Sequence, residues 1–259
     1  KELYQLTPKE CGDIRFRDAS DDEVHLGKLL FESKALSGND DIACINCHLD
    51  EFNITDGLPL AIGVEGIGEG MDRMSHGMGA IVARNAISLI GVGHKSFNQF
   101  FWDGKVGLGD DGNIYSQLGT DMSNKFSNAL AVAAVMPLLE RDELIGSGGI
   151  DNEISKAVDE KLYTDKFNAV SEVIVNKFKS NSPDTKEINE LAQKLGIEEM
   201  DLITIGNLLG TFIANEFKCS ESLYDKYLAG DATLTDSQKR GAITFYGKGR
   251  CASCHSGSL

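Results

Sequence analysis

The chain has 259 residues, 41% of them hydrophobic, enough to bury one large core or two modest ones, and two compact lobes are the expected organisation. A formal charge of −15 argues against nucleic acid as a partner and suits a basic or dipolar protein instead. No stretch reaches the roughly 18 apolar residues of a membrane-spanning helix; the richest run, Ala129 to Leu139, is short and contains Pro137.

The start at Lys1 shows neither an initiator Met nor an apolar targeting core, which predicts a leader removed by processing or cloning. Asp21 or Asp22 is placed to cap a helix carrying Val24, Leu26, Leu29, Leu30 and Phe31. Gly38-Asn39-Asp40-Asp41 then reads as a loop leading into Cys44-Ile45-Asn46-Cys47-His48. The glycine-rich stretches Gly63 to Gly79 and Val106 to Gly119 are expected to be long loops, the kind of segment that controls access to a site. Asn152 to Lys179 and Ile188 to Leu195 read as helices separated by the polar turn Ser180-Asn181-Ser182-Pro183-Asp184. Leu202, Ile205, Leu209, Phe212 and Ile213 make an apolar stripe at helical spacing and are expected to be core. Thr235 with Gln238 forms a capping-box pattern ahead of Ala242, Ile243 and Phe245, and this helix leads through Gly247 and Gly249 into Cys251-Ala252-Ser253-Cys254-His255. The helices before the two cysteine motifs share Gly-x-x-x-Phe, Gly27 to Phe31 and Gly241 to Phe245, an internal echo consistent with two lobes descended from one unit.

Both cysteine motifs read C-x-x-C-H, the spacing at which two thiols reach the vinyl groups of one haem while the adjacent imidazole reaches its iron. Zinc is the first alternative, but a His directly after the second Cys in both pairs is not the usual finger spacing. A thioredoxin-like redox pair is the second, and it needs a strand before the motif, where this chain has glycine-rich loops. Two covalently attached haems c are therefore expected, on Cys44, Cys47 and His48 and on Cys251, Cys254 and His255. Haem c is attached outside the bacterial cytoplasm, so the expected location is the periplasm or an outer surface. The same oxidising compartment makes a disulfide between the remaining cysteines, Cys11 and Cys219, a fair expectation. The expected fold is mainly α with long loops and little β structure. It comprises a cytochrome c-like haem-binding lobe over residues 1–150 and a second over residues 151–259.

These residues resemble the bacterial dihaem cytochrome c peroxidases and their MauG-type relatives. The matching elements are Leu26-Gly27-Lys28-Leu29-Leu30-Phe31, Leu36-Ser37-Gly38, Thr55-Asp56-Gly57, Arg84-Asn85, Phe101-Trp102-Asp103-Gly104 and Gly249 to His255, in the family's order. The resemblance implies reduction of hydrogen peroxide to water with electrons from a small redox protein, a cytochrome c or a cupredoxin. The haem on His48 would be the peroxide-reacting centre and the haem on His255 the electron-transfer centre. Trp102 would lie between the haems as a relay, its alternative being a core aromatic. His76 would be a removable sixth ligand to the first iron, its alternative an exposed loop residue. Glu143 would be the distal glutamate and Pro137 the distal proline, the alternative for Glu143 being a solvated acidic helix face shared with Glu140 and Asp142. Asn85 would contact a calcium ion between the haems. Relatives often dimerise, so a homodimer is part of the expectation. His25 and His94 match no ligand position of the family.

The chain departs from the family in three places. Ala133 stands where many relatives carry a glutamine near the peroxide, and the loops after Cys47 and Gly104 are longer than in compact relatives. The sequence also stops at Leu259, before the region in which relatives find the second axial ligand of the second haem, a methionine in peroxidases or a tyrosine in MauG. A MauG-like oxidase acting on a protein substrate, and a dihaem electron carrier without catalysis, therefore stand as alternatives, and a missing continuation is expected.

Overall fold

The computed structural model describes residues 18–75, 77, 79–146, 152–158, 162–218 and 222–255. The helices are α1 (Asp21–Glu32), α2 (Gly70–Ser75), α3 (Thr120–Ser123), α4 (Ala129–Val135), α5 (Glu153–Val158), α6 (Tyr163–Lys179), α7 (Pro183–Lys194), α8 (Leu202–Glu216), α9 (Leu223–Ala229) and α10 (Asp236–Tyr246). Three short strands, β1 (Gln99–Phe100), β2 (Val106–Leu108) and β3 (Ile114–Tyr115), form an antiparallel sheet in which Phe100 faces Val106 and Gly107 faces Tyr115. The fold is mainly helical, as the sequence predicts. Packing divides the chain between Phe217 and Lys218 and not near residue 150.

In the first unit, α8 is the central element. Leu202, Ile205, Leu208, Leu209, Phe212 and Ile213 are all buried, so the apolar stripe is core, and each such side chain contributes about 1.5–3 kcal/mol of burial. Asp201 caps this helix by accepting from the Thr204 amide at 2.7 Å. Glycines let two neighbours reach its backbone. A β-carbon on Gly27 of α1 would lie 2.4 Å from the Leu208 carbonyl oxygen, and one on Gly206 of α8 would lie 2.7 Å from the Ala131 carbonyl oxygen of α4. Both contacts need the missing side chain. Because α8 fills the space between α1 and α4, residues 152–217 complete the core of the first unit, which is why the division falls after them.

Local chemistry accounts for the remaining differences from expectation. Ser20, and not Asp21 or Asp22, caps α1 in a reciprocal capping box with Glu23; the two aspartates lie in the first turn, where they favour the helix dipole. The helix expected over 152–179 is two helices, α5 and α6, with Leu162 extended ahead of α6. Pro183 starts α7 instead of sitting in the turn before it, a position where its missing N–H is harmless. The two expected long loops contain α2 and the strands β2 and β3.

The described part of the second unit consists of α9, α10 and a 3-10 turn over Cys251–Ser253. The capping box of Thr235 and Gln238 is formed. Tyr224 of α9 donates its hydroxyl to Tyr246 of α10 at 2.9 Å. No residue of α10 is buried, Ile243 is 70% exposed, and a β-carbon on Gly241 would meet no described atom within 4 Å.

Candidate active site

The first C-x-x-C-H motif sits on one 3-10 turn, Cys44–Asn46, that follows the loop after α1. Asn46 Oδ1 accepts from the Ala43 amide at 2.8 Å, and the Cys47 and His48 amides both donate to the Cys44 carbonyl at 3.1 Å. These bonds put two cysteines and a histidine on one side of a tight turn. Both thiols are unbridged and half-buried. Burial, and for Cys44 the neighbouring Cys47, pushes the Cys44 thiol up to about 12; burial and the charge of Asp56 do the same for Cys47. Both are therefore neutral thiols and not thiolates.

His48 is oriented from behind. Its Nδ1 lies 3.0 Å from the Ile54 carbonyl oxygen, which can only accept, so Nδ1 donates to it, and the Ile87 carbonyl also acts on the ring. Ile54 delivers that carbonyl from a φ of 60°, a left-handed conformation that costs a β-branched residue energy. Burial lowers the proton affinity of His48 below the ordinary imidazole value, which favours the neutral ligand form. Phe31 of α1 packs against the ring with centroids 6.1 Å apart.

The second motif repeats this geometry. The Cys254 and His255 amides donate to the Cys251 carbonyl at 3.2 and 2.9 Å, and Phe245 of α10 stands 6.3 Å from the His255 ring. Phe31 and Phe245 end the two Gly-x-x-x-Phe segments, so the internal echo in the sequence extends to the packing against each histidine. Cys251, Cys254 and His255 are exposed.

Glu143 lies on a π-helical turn, Arg141–Ile145, that is fastened to the loops around the first motif. The Gly38 amide donates to the Leu144 carbonyl at 2.8 Å, and the Val64 amide donates to the Asp142 carbonyl at 3.2 Å. A β-carbon on Gly38 would lie 2.1 Å from the Ile145 oxygen, and one on Gly63 would lie 1.7 Å from the Asp142 oxygen, so both contacts require glycine. Asn152 Nδ2 adds a bond to the Ile145 carbonyl at 2.8 Å. The Glu143 side chain is half-buried and, among the described residues, has no hydrogen-bond or ion-pair partner. Burial, then the charge of Glu140, raises its pKa to about 7, with Lys105 opposing. Its charge acts on both Cys44 and Cys47, so it stands within electrostatic reach of the motif thiols.

Of the neighbouring carboxylates, Asp142 is exposed, whereas Glu140 accepts the Tyr163 hydroxyl and pairs with Lys105 at 3.7 Å. Glu143 alone of the three is both sheltered and unengaged. Pro137 lies in the 3-10 turn Met136–Leu139 just before, its carbonyl accepting the Glu140 amide at 3.1 Å. Ala133 is buried in α4.

Trp102 is 71% exposed and carries the Arg84 guanidinium 4.3 Å from its ring centroid. Asn85 spends its amide nitrogen on the Leu58 carbonyl at 2.5 Å, and among the described residues no three His, Cys, Asp or Glu side chains gather to hold a metal ion. His94 is buried in a turn with Ser96, and His25 is exposed on α1. His76, Cys11 and Cys219 lie outside the described residues.

Sequence reasoning missed Arg73. It is 2% exposed, and its guanidinium donates to the carbonyls of Ile62, Gly63 and Gly68 at 3.0, 2.6 and 2.9 Å. It thereby clamps the loop that supports the Glu143 turn. A lone arginine in a glycine-rich stretch carries no periodic signal that would have revealed this.

Residues 21–233 match the model of the di-haem cytochrome c peroxidase family. The chain belongs to that family. Among its relatives, the cytochrome-c peroxidase IdrP2 of Denitromonas iodatirespirans is 25% identical over 259 residues, covering 100% of this chain and 52% of that protein. The IdrP2 protein of Pseudomonas sp. (strain SCT) is 22% identical over 237 residues, covering 91% of this chain and 48% of the relative. The chain thus spans about half the length of the curated relatives it matches. A solved MauG-like protein associated with microbial copper homeostasis shares the fold, with a TM-score of 0.54 at 24% identity over 97% of this chain and 56% of that one.

Haem is the cofactor of a di-haem peroxidase, and the residues present fit it. Two unbridged neutral thiols share one tight turn with a histidine whose ring is oriented by the Ile54 carbonyl. Beside them the fully buried Asp56 has one carboxylate oxygen, Oδ2, without a hydrogen-bond partner. No helix among the described residues is long and apolar enough to cross a membrane.

Proposed function

We propose that this chain supplies the site of a dihaem cytochrome c peroxidase that reduces hydrogen peroxide to water with electrons from a small cytochrome c or cupredoxin. The observation that carries the reading is Glu143, a sheltered, unpartnered carboxyl with a pKa near neutrality, on a turn fastened to the first C-x-x-C-H loop. Peroxide cleavage needs one group that takes a proton from the near oxygen and returns it to the far one. A carboxyl whose proton affinity matches the working pH does both.

Haem would be held by Cys44, Cys47 and His48 and would supply one-electron redox chemistry at its iron. The protein's own part begins with the Cys44 and Cys47 thiols, protonated and adjacent, as addition to the vinyl groups requires. The bond from His48 Nδ1 to Ile54 fixes the ring and strengthens it as a ligand. Glu143 moves the proton through its free carboxylate oxygens. Pro137 adds an apolar wall with no N–H to compete for the peroxide.

Cys251, Cys254 and His255 would hold the second, electron-storing haem, in the unit that follows Phe217, and the unit before that point would carry the peroxidatic one. Trp102, exposed and stacked under Arg84, is the proposed relay, and His76 the removable ligand. Calcium, where present, would draw on the side-chain oxygen of Asn85, whose amide nitrogen is held by the Leu58 carbonyl. Attachment of haem c implies a periplasmic or otherwise exported protein, and a homodimer is the proposed assembly.

Replacing Glu143 with Gln in the haem-loaded protein should lower peroxide turnover by about a hundredfold or more. Unchanged turnover would remove Glu143 from the reaction.

A further inference from the structure

Glu140 begins the turn that carries Glu143. Its amide donates to the Pro137 carbonyl at 3.1 Å, and its own carbonyl accepts the Leu144 and Ile145 amides at 3.1 Å. Its carboxylate is held as firmly as its backbone. Tyr163, at the first turn of α6, donates its hydroxyl to Glu140 Oε1, and Lys105, ahead of β2, places Nζ 3.7 Å from the same oxygen. Lys105 also sits 4.5 Å over the Phe101 ring, and Lys166 sits 5.0 Å over the Tyr163 ring while donating to the Leu139 carbonyl at 2.9 Å. Two separate elements, the first turn of α6 and the segment ahead of β2, thus converge on one carboxylate three residues before the residue assigned to move the proton.

We propose that Glu140 is a positioning residue of this site: clamped between Tyr163 and Lys105, its fixed negative charge sets the pH at which Glu143 takes up its proton. The proposal rests on the reading of Glu143 as the proton-moving group.

A carboxylate held in one place acts on a sheltered neighbour far more than one swinging in water, because neither motion nor solvent averages its field. The neighbouring groups have defined signs. Arg141 and Asp142 share the turn with Glu143, Lys105 and the phenol of Tyr163 lie on other elements and both contact Glu140, Lys166 lies over the Tyr163 ring, and Cys44 and Cys47 are neutral thiols. Glu153 and Lys156 of α5 and Glu65 of the supporting loop are exposed, where solvent screens them. Glu140 and Lys105 therefore act on Glu143 in opposite senses, Glu140 favouring its proton and Lys105 opposing it, in agreement with the causes of its raised pKa. Tyr163 adds no charge. Burial, then its bond to Glu140, keeps its own hydroxyl protonated far above neutrality, so it serves as a donor throughout the working range.

The test is an infrared pH titration of the haem-loaded full chain, following the carboxyl band identified as Glu143 by its loss in Glu143→Gln. Glu140→Gln should lower the midpoint by about one pH unit, and Lys105→Gln should raise it. Opposite displacements support the proposal, because a general loosening of the turn would move both the same way. A midpoint that stays put in both variants, or moves in the same direction in both, overturns it. Should Glu140→Gln fail to fold, Tyr163→Phe decides, since it releases the Glu140 carboxylate without changing any charge: a lowered midpoint supports the proposal and an unchanged one overturns it. If the midpoints separate as predicted while the pH profile of peroxide turnover stays that of the unaltered chain, the assignment of Glu143 to the reaction falls and the role of Glu140 stands.

Discussion

A carboxyl kept near neutrality for chemistry weakens the fold that holds it, and Glu143 allows the cost to be measured. Its pKa is raised from an ordinary 4.5 to about 7. The gap of about 2.5 pH units, at about 1.36 kcal/mol per unit, corresponds to roughly 3 kcal/mol. The sign follows from proton counting. Between pH 4.5 and 7 the folded chain holds the Glu143 proton more tightly than the unfolded chain, so stability falls as pH rises through that window and is lowest above it. Glu143→Gln keeps the shape and removes the ionisation. The variant should therefore be more stable than the unaltered protein by roughly 3 kcal/mol at pH 8, with the difference shrinking toward zero near pH 4.5. Urea unfolding of the two haem-loaded proteins at a series of pH values reads this directly. A difference that is constant with pH, or a variant less stable at pH 8, would refute the account of Glu143 as a sheltered and unpartnered acid.

Gly63→Ala would place a methyl 1.7 Å from the Asp142 carbonyl oxygen and should cost about 1–3 kcal/mol while displacing the Glu143 turn. Faster hydrogen exchange at the Val64 amide, whose bond to Asp142 it breaks, is the check. Gly27→Ala, which puts a β-carbon 2.4 Å from Leu208 in α8, should lower the melting temperature. Gly241→Ala occupies the equivalent place in the second motif's helix, where nothing described lies within 4 Å, and should leave that temperature unchanged or raise it. Calorimetry of both variants tests whether the two helices differ as the structure describes.

What the sequence revealed follows from the range of the interactions involved. The C-x-x-C-H turns close through bonds from Cys47 and His48 to Cys44, all within four residues, so spacing alone exposes them. The α8 stripe and the Thr235–Gln238 box are equally local. Ser20 was missed as the cap of α1 because three acidic residues follow it, each with a side chain able to cap, and only the backbone decides which lies outside the helix. The Tyr163–Glu140 contact joins residues 23 apart and has no periodic signature. Chain order also concealed that 152–217 belong with the first haem motif, since that depends on α8 reaching α1 and α4 across two glycines. The family resemblance pointed to Trp102, but its exposure and the stacking of Arg84 depend on residues 18 positions apart meeting in space.

The most direct test of the central reading is a titration of the fully reduced, haem-loaded protein with hydrogen peroxide, followed by the visible absorbance of both haems. Two irons storing one electron each should be oxidised together by one equivalent of peroxide, with water as the product and a rate that collapses in Glu143→Gln. Haems that stay reduced in excess peroxide, or that oxidise at the same rate without Glu143, would contradict it.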